Sequence, residues 1–124
     1  MKLKLSLQAL KKIERDLCVL AKDPRTESLL PELNIIGEGD RIEALDEDDL
    51  LNIQGENNLH VTKKWMIDFT NKTSTRPECV IDVSGIQISI PWIAWLESQG
   101  AHMLHYERGD YKVLTKDGVE IGCP

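Results

Sequence analysis

Residues 79–90, CVIDVSGIQISI, constrain the fold more than any other stretch of the chain. Cys79, Ile81 and Val83 alternate with Val80 and Asp82. Ile86, Ile88 and Ile90 alternate with Gln87 and Ser89. The two runs meet at Ser84-Gly85, which suits a two-residue hairpin turn. A turn there pairs Val83 with Ile86, Ile81 with Ile88 and Cys79 with Ile90. All six side chains then share one face, because strand side chains alternate with period two. A hairpin with one apolar face is marginal alone, so the rest of the chain must cover it.

The covering material differs along the sequence. The first 64 residues contain no aromatic residue; all six lie between 65 and 111. The front half is rich in Leu, Glu, Lys and Asp, and the back half in β-branched and aromatic residues. Ser6 is a candidate N-cap for a helix with Leu10, Ile13, Leu17 and Leu20 on one stripe, ended near Lys22 by Pro24. Leu29, Leu30 and Leu33 suggest a second short helix around Pro31. Asp46 can cap a third, stopped by Gly55.

Further on, Val61, Lys63, Trp65, Ile67 and Phe69 fall on one face of a strand. Pro91 opens a short helix, PWIAWLESQ, which Gly100 closes. A meander then pairs Tyr106 with Tyr111, Leu104 with Val113 and Met103 with Leu114. A second turn at Asp117-Gly118 pairs Leu114 with Ile121. The expectation is one α+β domain over residues 1–124. Its N-terminal helices, over about 1–56, pack on a mostly antiparallel sheet of five or six strands over about 59–122, with one inserted short helix.

Charge is unevenly placed. The chain carries a net −6, which disfavours general binding to nucleic acid or acidic membranes. Residues 38–56 hold eight acids against one base, a net −7, whereas residues 1–25 hold seven bases against three acids, a net +4. Acids in the first turn after Asp46 oppose the partial positive charge of a helix start. That explains Glu47, Asp48 and Asp49 but not the preceding Glu38, Asp40 and Glu43. Three widely spaced cysteines, Cys18, Cys79 and Cys123, do not form a secreted disulfide framework, and no apolar run reaches membrane-spanning length. A reducing cytoplasm is expected.

No spacing announces a chemistry. Counted from Asp46, a calcium loop would need an oxygen ligand at Leu50, Gly at Leu51 and Glu at Asn57. His102 and His105 are three apart, which puts them on opposite faces of a strand. Ser84 lacks the glycine framework of a nucleophile elbow, and Cys79 reads as a buried small apolar residue. No catalytic residue, metal or cofactor is expected.

These features point to a small acidic protein-binding module. The sharper form is an inhibitor or immunity-type protein that occludes a basic partner through Glu43, Asp46, Glu47, Asp48 and Asp49, with Trp92 and Trp95 as anchors. A second reading is a small-ligand or enzymatic site near Trp92, Trp95, His102 and His105. A third is nucleic-acid association through Lys11, Lys12 and Arg15 of the basic first helix. Replacing Asp46, Asp48 and Asp49 by Asn should slow association with a basic partner and flatten its salt dependence. Stopped-flow association at low salt checks it; an unchanged rate reduces the run to a helix start.

Overall fold

The computed structural model describes residues 2–37 and 63–124. The chain order is β1 (Lys4–Leu5), α1 (Leu7–Leu20), β2 (Leu29–Gly37), β3 (Lys63–Asn71), β4 (Val80–Val83), β5 (Ile86–Ser89), α2 (Ile93–Ser98), β6 (Ala101–Glu107), β7 (Asp110–Thr115) and β8 (Glu120–Ile121). The strands form one sheet in the order β1-β6-β7-β3-β2-β5-β4, with β8 paired to β7. Most pairs are antiparallel, but β1–β6 and β2–β5 are parallel.

This overturns the expected architecture. The fold is dominated by an eight-stranded, nearly closed, barrel-like mixed sheet, with one long helix among the described residues. It is not a set of helices on a five- or six-stranded sheet. Two elements account for the change. Lys4–Leu5 form a strand against Met103–Leu104 before α1 starts. Leu29–Gly37, whose leucines suggested a helix, form a nine-residue strand paired residue for residue with β3. Pro31 is buried there, opposite Phe69. Proline disrupts a helix interior but is tolerated in a strand with one sparsely bonded side. On its other side β2 meets β5 only at Glu32–Ser89.

The hairpin at 79–90 takes the register its turn dictates. Val83 faces Ile86 and Ile81 faces Ile88, and the Ile90 N–H donates to the Cys79 carbonyl at 2.8 Å. Ser84 (φ +51°) and Gly85 (φ +87°) both adopt the left-handed conformation that a tight hairpin of this twist requires. Glycine does so freely; serine does so at a cost. Ser84 also closes the sheet. Its Oγ accepts the Leu5 N–H at 3.2 Å, so β1 and the β4–β5 turn, from opposite ends of the strand order, touch through a side chain.

The meander keeps the expected Tyr106–Tyr111, Leu104–Val113 and Met103–Leu114 pairs. The last turn is one residue longer than expected. The Thr115 N–H bonds the Val119 carbonyl, and Ile121 therefore lies opposite Val113 rather than Leu114. The short helix is also trimmed, to Ile93–Ser98.

The core lies inside the curved sheet under α1. Ala9 and Ile13, four residues apart on α1, are fully buried, and Leu17 packs against the same cluster. Leu33, Val83, Ile88, Leu104 and Val113 from the strands, and Ile90 just after β5, complete the cluster. Trp65 is buried, and its indole N–H donates to the Ile121 carbonyl at 3.0 Å, tying β3 to β8. Ile88 has no exposure and belongs to this cluster. Ile88→Ala should cost roughly 2–5 kcal/mol in chemical denaturation. A loss under about 1 kcal/mol, the range of a conservative core swap, would contradict its place in the core.

Candidate functional site

Ser6 sets the geometry of a groove on the surface of the described residues. Its N–H donates to the Leu104 carbonyl at 2.9 Å, extending the β1–β6 pairing by one bond. Its Oγ accepts the Ala9 N–H at 3.1 Å, and its carbonyl accepts the Leu10 N–H at 2.9 Å. The chain thus changes from strand to helix within one residue. Beyond it, α1 runs above the last part of β6 instead of pairing with it.

The gap between them is a groove of about 500 Å³. Gln8, Lys11, Lys12 and Arg15 of α1 form one wall, at the three- and four-residue spacings of a single helix face. His105, Tyr106, Glu107 and Arg108 form the other. Lys12 is engaged: its Nζ lies 3.0 Å from Asp16 Oδ1 and 6.0 Å from the centre of the Tyr106 ring. Glu107 Oε2 lies 3.7 Å from Lys112 Nζ and 3.9 Å from His105 Nε2. Lys11, Arg15 and Arg108 are exposed and make no ion pair among the described residues. The groove is therefore locally basic in a chain of net −6.

Arg108 occupies an unusual position. It begins the two-residue β6–β7 turn at φ +52°, followed by Gly109 at φ +85°. Asn, Asp or Gly fills that position with less strain. Local strain of this kind recurs at functional sites.

Beneath the groove, Tyr106 and Tyr111 pack with ring centres 4.9 Å apart. The Tyr111 hydroxyl is buried without a hydrogen-bond partner among the described residues. Burial pushes its pKa above the ordinary phenol value, and the neighbouring Asp16 and Tyr106 push it further. It is a poor proton donor for chemistry at neutral pH.

A second cavity, of about 420 Å³, lies between Trp95 and the C-terminal residues Val119 to Cys123. Burial raises the Cys123 thiol, with Lys63 opposing weakly. A thiol so shifted is less nucleophilic at neutral pH, not more. Among the described residues no three His, Cys, Asp or Glu side chains gather as a metal site.

The site residues expected from sequence are dispersed. Glu43, Asp46, Glu47, Asp48 and Asp49 lie outside the described residues. Trp92 is 41% exposed at the start of α2. Trp95 packs against the core, 6.2 Å from Trp65, and lines the C-terminal cavity. His105 lines the basic groove instead, and His102 is half-buried on β6. Lys11, Lys12 and Arg15 do converge. Sequence reasoning had no role for Arg108, Tyr106 or Gln8; the one local signal was a charged residue where a tight turn favours Asn or Gly.

No protein-family model and no curated protein matches the chain. No helix among the described residues is long and apolar enough to cross a membrane.

The unpaired Tyr111 hydroxyl yields a simple test. Tyr111→Phe removes a buried polar group that has no partner among the described residues, so stability should stay equal or rise by about 1 kcal/mol. Loss of more than about 1 kcal/mol in thermal or urea unfolding would mean that the hydroxyl is satisfied in solution.

Proposed function

We propose that this chain is a protein-binding module whose groove between α1 and the β6–β7 turn receives an anionic surface of its partner. One observation carries the reading: Lys11, Arg15 and Arg108, none ion-paired among the described residues, face one groove of about 500 Å³. Exposed cations of this kind contribute chiefly to association rate and orientation. Arg108 stands at the rim of this groove at φ +52°, a conformation that Asn, Asp or Gly would adopt with less strain.

The inhibitor or immunity-type reading calls on a different surface. It is supported by the net −7 of residues 38–56, a property of the sequence. Trp92, exposed at 41%, is available to a partner in either case. A module with a basic groove and an acidic segment would select a partner by the arrangement of both signs rather than by total charge.

Arg108→Asn separates binding from folding. It relieves the turn and should leave stability unchanged or raise it by up to about 1 kcal/mol. Binding of fluorescein-labelled poly-glutamate, read by anisotropy, should weaken at the same time. Binding should tighten as salt falls from about 0.15 M to about 0.01 M. Lys22→Ala, on an exposed lysine outside the groove, serves as the control. Equal poly-glutamate affinity in wild type, Arg108→Asn and Lys11→Ala/Arg15→Ala would remove the groove from the function.

A further inference from the structure

The shape of the groove, and not only its charge, restricts what fits. Resting on the anionic-groove reading above, we propose that the groove binds an extended acidic peptide segment, with carboxylates two residues apart, laid along the edge of β6 beyond Leu5.

The edge comes first. β1 pairs in parallel with β6 only at Lys4–Met103 and Leu5–Leu104, and the last bond is Ser6 N–H to the Leu104 carbonyl. Backbone groups of alternate strand residues point to the same side, so the Tyr106 N–H and carbonyl point the way the Leu104 carbonyl does. Among the described residues no strand pairs with β6 on that side after Leu104. An incoming strand can take the line that β1 abandons when α1 begins.

The helix wall supplies the spacing. Lys11 and Arg15 are four residues apart, about 6 Å along the helix axis. In an extended chain, residues i and i+2 are roughly 6.6 Å apart and point to the same face. Two acids separated by one residue therefore match the two cations, while adjacent acids present only one. The wall from Gln8 to Arg15 is about 10 Å long, which corresponds to three or four extended residues. Arg108 stands at the turn end of β6 to receive a third carboxylate. Glu107 points a charge of the wrong sign at this groove, but Lys112 lies 3.7 Å from it.

Competing anions fit less well. Single-stranded nucleic acid relies on aromatic platforms for its bases. Here Tyr106 is already packed against Tyr111 and covered by Lys12. A free phosphate would need donors converging on one point, whereas these cations are strung along the groove.

The test uses the full-length chain and four probes in anisotropy or calorimetric titrations. They are a labelled peptide with the pattern Glu-Ala-Glu, one of equal charge with adjacent acids (Glu-Glu-Ala), a thymidine oligonucleotide and inorganic phosphate. The Glu-Ala-Glu peptide should bind best. Each exposed ion pair is worth roughly two- to fivefold, so Lys11→Ala/Arg15→Ala should weaken it by about tenfold. N-methylation should abolish binding when placed on residues of one parity and spare it on the other, the signature of strand pairing. Equal affinity for the two peptides, or equal effects of methylation at both parities, overturns the inference. So does tighter, Lys11/Arg15-dependent binding of the oligonucleotide or phosphate, which would leave the anionic groove standing with another ligand. If no probe binds in a way that these substitutions alter, both the inference and the groove's proposed function fall.

Discussion

The three hydrogen bonds at Ser6 decide where β1 stops and α1 starts, and the rest of the surface follows from that point. The N–H completes the parallel pairing to Leu104, while the side chain and carbonyl satisfy the Ala9 and Leu10 amides at the start of the helix. A helix start leaves four amides without internal partners, so a cap that also ends a strand fixes the helix direction as well as its position. Ser6 is buried, although it is polar, because every bond it makes is internal. From there Ala9 and Ile13 go down into the core, and Lys11 and Arg15 are turned outward. The groove is the space left between the end of β6 and the helix that takes over where β1 stops.

The sheet is built from well-paired units joined by thin seams. β2 and β3 pair at nine positions, and β6 and β7 at six, but β3 meets β7 at one position and β2 meets β5 at one. Closure depends on a serine side chain rather than a ladder. Side chains hold these seams. Trp65 lies opposite Tyr111 at the β3–β7 junction and donates to the Ile121 carbonyl. Ser89, buried on β5, donates to Glu32 Oε2 at the β2–β5 junction. Apolar burial is non-directional, so a core of Leu33, Ile88, Leu104 and Val113 can stabilise such a sheet even where backbone bonds are few.

How much of this was legible depended on the range of the interaction. The hairpin at Ser84-Gly85 and the Tyr106–Tyr111 register are readable because turn residues and alternating apolar positions lie within a dozen residues of one another, although the sequence suggests a four-residue loop from Glu107 to Asp110 where Glu107 pairs with Asp110 around the two residues Arg108-Gly109. The last turn was misjudged by one residue, since Asp117-Gly118 suits a two-residue turn as well as the three-residue loop that forms. β2 was read as a helix because Leu29, Leu30 and Leu33 fit a helical face; nine pairs with a strand beginning 26 residues beyond its own end outweighed that local preference. β1 is two residues long, and only Met103 and Leu104, about a hundred residues away, make it a strand. A parallel pair leaves no turn signal, so β1 could not be read, and the antiparallel partner of β2 lies too far along the chain for a tight turn to mark it.

The groove was half legible for the same reason. Lys11, Lys12 and Arg15 stood out as bases on one helix, but the opposite wall is some ninety residues further along the chain. Arg108 looked like an ordinary loop residue until its positive φ and its place in the groove were known. The net charge pulled the reading the other way. At physiological salt, exposed charges act over roughly 8 Å, so the sign of a surface is set by side chains within that distance. In the groove, Asp16 offsets Lys12 and Lys112 offsets Glu107, which leaves Lys11, Arg15 and Arg108 to set the sign. A chain with six excess negative charges can therefore present a basic groove, and on the proposed function an anionic partner would meet those three cations and not the total.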